Sequence, residues 1–369
     1  MRRYVRRIEI RPWEIERRVV AQQPQSFFGS LGKTLMHLVS RGDEQSTGSA
    51  EEAYVWRRLS KRIANAIQNL PSVEEYKIQC LQGDCDAFFV HGLIPALRHW
   101  EQTLRKLTLS VPPDELLNLP AVKLPRLECL ELLFLSPVID PQEFHFMVLD
   151  PLVVFVNNLY PALRSLSITA TRCAENIDLT PLFKGLSTFP HLRNFQLSMP
   201  YDGSSFSCIQ PLLAFLAKHN NIQCLRFSTL PTAREAPTPY ELMEWIPSIL
   251  RSLDESFGDI EEIAIALRPL KANSTFTTLN KFLSTHGRNL VSLSLTEDTT
   301  LSFKEVHEML KPRGSHAFDH LRRLSLHVKY LTVELFSFLA QTFPKLQKLE
   351  IGFTYFSRGL ELDFVSLST

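Results

Sequence analysis

The stretch FPKLQKLEI, residues Phe343 to Ile351, decides how the rest of the chain is read. Leu349 and Ile351 alternate with charged neighbours, the period of a short strand that buries one face. Proline at the second position marks a turn before the strand, and Leu346 stands between the two. The same form, P-x-L-x-x-L-x-L, returns in LPRLECLEL (Leu124 to Leu132), YPALRSLSI (Tyr160 to Ile168) and FPHLRNFQL (Phe189 to Leu197). Relaxed to apolar-x-x-apolar-x-apolar, it also occurs at Val73/Tyr76/Ile78, Leu104/Leu107/Leu109 and Ile222/Leu225/Phe227, and again at Ile260/Ile263/Ile265, Leu290/Leu293/Leu295 and Leu321/Leu324/Leu326. From Val73 to Leu346 the starts lie 23 to 38 residues apart. That scatter is what insertions in surface loops produce around a fixed repeat.

The segment before each strand has helical spacing. DPLVVFVNNLYP, QPLLAFLAKHNN, PYELMEWIPSILRSL, TLNKFLSTHG and TVELFSFLAQTFP put apolar residues three and four apart. Several open on Ser, Thr, Asp or Pro and close before Gly, Asn or Pro, the usual start and stop signals. One helix and one strand cannot bury their apolar faces alone. Stacked in register, such units make a parallel sheet lined by helices.

The amino terminus reads MRRYVRRIEI, with arginine at seven of the first eighteen positions (Arg2, Arg3, Arg6, Arg7, Arg11, Arg17, Arg18). A basic arm and a first strand are both open to such a sequence. Val5, Ile8 and Ile10 repeat the spacing of Leu346, Leu349 and Ile351, with Glu9, Glu14 and Glu16 interleaved, so the stretch is expected to be the first strand. A sheet edge there needs cover, which leads to the expectation that further sequence precedes Met1.

The pattern resembles the long, helix-containing leucine-rich repeats of the ribonuclease-inhibitor-like superfamily. The resemblance implies an α/β leucine-rich-repeat solenoid, a horseshoe of ten to eleven irregular repeats over residues 1–369, read as a single domain. A strip free of large apolar residues, residues 40–53, is expected to be a disordered insertion. The family's regular Asn or Cys ladder after the strand is missing, since the equivalent positions hold Pro112, Leu135 and Leu230. The resemblance therefore implies turns satisfied by other groups. An ordinary doubly wound α/β domain is the alternative fold.

Totals narrow the function. Across 369 residues, 44% are hydrophobic and 21% charged, which places the chain among folded globular proteins. The net charge of +1 gives no general attraction to nucleic acid or anionic membranes. No apolar run reaches the roughly 18 residues of a membrane span, and the charged start is unlike a signal peptide. The six cysteines are scattered, as reduced thiols in a cytoplasmic or nuclear protein would be.

Chemical motifs come to little. FFGSLGKT (Phe27 to Thr34) imitates the end of a phosphate-binding loop, but Phe27 stands where the first glycine is needed. His316 and His320 are four apart, yet Ala317 replaces the glutamate that a zinc protease requires. No cofactor, metal site or catalytic group is expected, and a hydrolase or nucleotide-binding enzyme on an α/β fold is the remote alternative. The STLPTAREAPTPY stretch (Ser228 to Tyr240) reads as a rigid, proline-rich loop and a contact candidate.

The third, fifth and seventh positions of each unit should face away from the core. They nominate Arg7, Glu9, Arg11, Glu75, Lys77, Lys106 and Glu131 near the start. Asn194, Gln196 and Arg226 follow in the middle, and Arg323, His327, Lys348 and Glu350 near the end. The middle is small and polar, and the ends are mixed in charge. Such a surface suits a protein or peptide on the concave face, with the chain itself a monomer. The FPHLRNF and FPKLQKLEI style also resembles fungal F-box/leucine-rich-repeat proteins. That resemblance implies substrate recognition for an SCF-type ubiquitin ligase, and an adaptor partner only if an F-box precedes Met1. A free-standing repeat scaffold unrelated to ubiquitin is the alternative.

Overall fold

A computed structural model describes residues 5–11, 61–62, 65–67, 69–79, 92–111, 113–134, 148–170, 177–200, 205–230, 245–253, 259–266, 275–296, 300–311 and 318–356. The expected insertion at 40–53, the FFGSLGKT stretch, His316, Cys80, Cys85, Cys173 and the loop at 231–240 lie outside the described residues. The chain divides into two compact units, Met1–Ala162 and Leu163–Thr369.

In the first unit, β1 (Arg7–Ile10), β2 (Glu75–Gln79), β3 (Lys106–Val111) and β4 (Cys129–Phe134) pair in parallel and in chain order. The expected first strand is therefore a strand, with Arg7 opposite Glu75 and Ile10 opposite Ile78. In the second unit, β5 (Ser165–Ala170), β6 (Asn194–Pro200), β7 (Cys224–Leu230), β8 (Glu262–Ala266), β9 (Ser292–Thr296), β10 (Arg323–Leu331) and β11 (Lys348–Phe356) follow the same rule.

Register aligns the repeat residue by residue. In the second unit Leu166, Phe195, Leu225, Ile263, Leu293, Leu324 and Leu349 form one cross-strand row. Ile168, Leu197, Phe227, Ile265, Leu295, Leu326 and Ile351 form the next. A slip of one residue would turn both rows to solvent, so burial itself fixes the register. All members are buried except those of β11, where Leu349 is 36% exposed and Ile351 half-buried.

The P-x-L motif is a turn. In FPKL the Leu346 N–H donates to the Phe343 carbonyl at 3.1 Å, placing proline at the second turn position, where its fixed φ is already correct. The same bond joins Leu127 to Leu124 and Leu192 to Phe189. Repeats without proline keep it, as between Ile222 and His219, Leu290 and Gly287, and Leu321 and Phe318.

After the turn, one carbonyl accepts two amides from the following repeat. Arg6 O takes Glu74 and Glu75, Glu74 O takes Arg105 and Lys106, and Arg105 O takes Glu128 and Cys129. In the second unit Arg164, Arg193, Gln223, Glu261, Val291 and Arg322 each do the same for the strand that follows. Each strand after the first of its unit is entered through this fork, which satisfies both amides.

Helices start in two ways. The helices α1 (Ile94–His99), α2 (Asp150–Asn157), α3 (Thr180–Gly185) and α4 (Gln210–Ala217) carry proline in the first turn, where no amide is needed. In the second unit, α5 (Trp245–Leu253), α6 (Thr275–His286), α7 (Phe303–Leu310) and α8 (Val333–Thr342) follow. At α7 the Ser302 hydroxyl accepts from the Glu305 amide, and Glu305 accepts in return from the Ser302 amide, a reciprocal cap. Thr332 caps α8 by accepting from the Leu335 amide at 3.2 Å. Residues Pro113–Ala121 form a 3-10 helix with Pro120 inside it.

Individual side chains tie neighbouring repeats in place of a regular ladder. In the first unit Trp100 Nε1 donates to Leu70 O at 2.8 Å, and Thr103 Oγ1 donates to Val73 O at 2.9 Å. In the second, the Asp178 carboxylate accepts the Thr180 amide (2.9 Å), the Ser207 amide (3.1 Å) and the Ser207 hydroxyl (2.6 Å). Partial burial pushes the Asp178 carboxyl up, but those donors outweigh it and hold it below the ordinary range.

His219 makes a further, buried tie. Its Nε2 accepts the Phe189 amide at 2.8 Å, so the ring proton sits on Nδ1 and points to Phe215 O at 2.6 Å. Burial lowers its pKa, with Lys218 adding repulsion, against the opposing pull of the Phe215 carbonyl. A protonated ring would lose the Phe189 bond. Since the unfolded chain takes up that proton near the usual value of 6.5 and the folded one only at lower pH, the contribution is complete above 6.5 and declines below it. The urea midpoint is expected to fall as pH drops below 6.5, and less steeply in His219→Gln. Equal slopes in the two proteins would remove His219 from the account.

Candidate functional site

Alternate strand residues point away from the helices, and register sorts them into rows. In the first unit Arg7, Glu75, Lys106 and Cys129 stand side by side, as do Glu9, Lys77, Thr108 and Glu131. Signs alternate along and between these rows, so the charges compensate one another. Glu9 accepts from Arg11 at 2.8 Å and lies 3.1 Å from Lys77 Nζ, and Arg7 reaches Glu75 at 3.7 Å. The Arg11 bond, then the Lys77 bond, lowers the Glu9 pKa. Lys106 Nζ donates to Glu131 at 2.5 Å and the Thr108 hydroxyl donates to the same carboxylate at 2.8 Å. Partial burial works against both charges, yet the pair prevails: Glu131 is lowered and Lys106 raised.

The sequence candidates of this unit thus form one network, Arg7, Glu9, Arg11, Glu75 and Lys77, with Lys106 and Glu131 as a second pair beside it. Thr108 and Ser110, expected to face out, are only 3% and 6% exposed, and the Thr108 hydroxyl is bonded to Glu131.

The second unit is built differently. Its first outward row reads Ser165, Asn194, Cys224, Glu262, Ser292, Arg323, Lys348, and its second Ser167, Gln196, Arg226, Ala264, Ser294, Ser325, Glu350. Glu262 gathers two cations: Arg226 at 3.5 Å from one side and, across the Ser292 strand, Arg323 from the other. The Cys224 thiol donates to it at 3.8 Å, and burial, foremost, pushes that thiol up. Lys348 pairs with Glu350 at 2.7 Å and lowers it.

Small residues between these charges leave a depression of about 350 Å³, with Gln196 and Ser228 on one flank and Lys348 and Glu350 on the other. Asn194 is exposed at the first position of β6, outside that lining. His327 lies opposite Gly352, where an added Cβ would meet its Cδ2 at 3.0 Å, so the glycine makes room for the imidazole.

Sequence reading nominated Arg226 and Arg323 as contacts and placed Glu262, the carboxylate that joins them, only among the outward-facing positions. Glu262 occupies the third position of its own unit, and aligning the units would have placed it one strand from Arg226 and two from Arg323. Of the histidine pair, His320 lies in the turn before β10 and not on a helix.

By fold, each unit is a run of α/β leucine-rich repeats: turn, forked carbonyl, strand and helix, stacked in parallel register. The sequence matches no protein-family model and no curated protein. Among solved structures it is similar to the leucine-rich-repeat protein LegL7 of Legionella pneumophila, at 15% identity over 80% of this chain and 87% of that one, TM-score 0.44. A Bacteroides fragilis protein is similar at 12% identity over 68% and 75%, TM-score 0.37. At those values neither likeness bears on function, and the fold assignment rests on the register and turns above. No described helix is long and apolar enough to cross a membrane.

Proposed function

We propose that the protein is a non-catalytic recognition scaffold that binds a protein partner on the outward face of its strands. One observation carries this reading: that face presents register-locked rows, of compensating charges in the first unit and, in the second, of short polar side chains bracketed by ionic groups. Exposed ion pairs of this kind contribute about 0–1 kcal/mol each to stability. Their spacing on a rigid sheet instead suits orientation and selection of a partner.

The test is affinity capture from cell extract with charge reversals at Arg7, Arg226 and Arg323. At least one reversal is expected to weaken capture of the principal partner about tenfold, with the melting temperature held near that of the parent. If all three capture normally, the strand face is not the binding surface.

A narrower reading, substrate capture for an SCF-type ubiquitin ligase, is supported by the sequence resemblance alone. Co-purification of a ubiquitin-ligase adaptor with the full-length protein would support it, and capture of partners without any adaptor would contradict it.

A further inference from the structure

We infer that the depression on the second unit takes a single carboxylate side chain from an extended peptide segment of the partner. This deepens the recognition reading above and rests on it.

The charge arrangement points to an anion. Arg226, Arg323 and Lys348 line the depression against only two carboxylates, Glu262 and Glu350. Arg323 and Lys348 are direct cross-strand neighbours, a like-charge pairing that a sheet disfavours. The described strands of the first unit show no such pairing, since Arg7, Glu75 and Lys106 alternate. An incoming carboxylate would relieve the repulsion that the second unit builds in.

The floor supplies room and donors. Ala264, Ser292, Ser294 and Ser325 stand where the first unit carries Lys77, Lys106 and Glu131, and the missing side chains create the 350 Å³ space. Ser228 and Ser294 line it and carry hydroxyls able to donate to an anion, while the Ser325 side chain is bonded to Glu350. Each guanidinium contacts Glu262 through one terminal nitrogen and presents a planar fork suited to bidentate carboxylate binding.

The same arrangement limits the ligand. Glu262 and Glu350 flank the space on either side, so a second acid nearby would meet one of them. The fit is to one Asp or Glu among neutral or basic residues, not to a polyacidic tract.

A random-peptide display library selected against the full chain tests this. Selected peptides are expected to share one acidic position. Replacing that residue by its amide should weaken binding of the fluorescein-labelled peptide about tenfold, as should the double variant Arg226→Gln/Arg323→Gln. Lys348→Gln should weaken it severalfold and Lys304→Gln, on α7, not at all. Raising salt from about 0.05 to about 0.5 M should weaken it further.

Acid-free peptides, or acidic peptides indifferent to the double variant and to Lys348→Gln, would overturn the inference. Acid-free peptides that nevertheless lose affinity on Ser294→Trp, which fills the floor, would overturn it while leaving the recognition reading intact. Peptides indifferent to every strand-face variant would overturn both.

Discussion

Replacing Phe215 by alanine is expected to lower the unfolding free energy by about 3–5 kcal/mol, the range for deleting a large buried aromatic ring. Phe215 is 1% exposed and sits on α4 at the centre of the second unit's aromatic cluster. Its ring centroid lies 5.5 Å from both Phe183 and Phe195, 6.4 Å from Phe189 and 4.3 Å from the His219 ring. These residues belong to two successive repeats, so the cavity would open where the repeats meet, and collapse around it would require strands to shift against a fixed register. Phe215→Leu keeps most of the volume and should cost about 1–2 kcal/mol. Urea denaturation followed by circular dichroism measures both. A loss under about 1 kcal/mol for the alanine variant would show that the cluster is not a shared core.

Trp100 plays the equivalent part in the first unit, with an added polar role. It is fully buried, packs edge-on to Tyr76 at 5.1 Å and donates its indole N–H to Leu70 O. Trp100→Ala should cost about 3–5 kcal/mol through the lost ring, and more through the carbonyl left unsatisfied. Trp100→Phe separates the two effects: it retains a ring against Tyr76 but not the donor. The phenylalanine variant is expected to lose about 1–2 kcal/mol, from the stranded Leu70 carbonyl and the smaller ring. If both variants lose equally, the hydrogen bond and not the packing holds that repeat.

The repeat was legible in the sequence because its signals are local. A proline, a leucine two residues on and two alternating apolar residues state the turn, the core contact and the strand within nine positions. The basic opening could be read as a strand for the same reason: Ile8 and Ile10 keep the spacing even when the surrounding residues are arginines. Helix positions were equally open, since proline or a capping residue precedes an apolar stripe.

The ties between repeats were not legible. His219 meets Phe189, Asp178 meets Ser207 and Trp100 meets Leu70 across about thirty residues, a distance at which neither propensity nor period carries information. Glu262 was hidden differently: its role comes from a serine strand that lets Arg323 reach across, and the decisive property of Ser292 and Ser294 is what they lack. The outward map likewise could not show that Thr108 and Ser110 are buried.

The claim that the strand face receives the partner is tested most directly by cross-linking mass spectrometry with an amine-reactive reagent on the captured complex. Lysines on both sides of the repeats report: Lys106 and Lys348 stand on the strand face, while Lys184, Lys218 and Lys304 stand on exposed positions at or just after α3, α4 and α7. The recognition reading predicts cross-links from the partner to Lys106 or Lys348. Cross-links confined to Lys184, Lys218 and Lys304 would place the partner on the helices and contradict it.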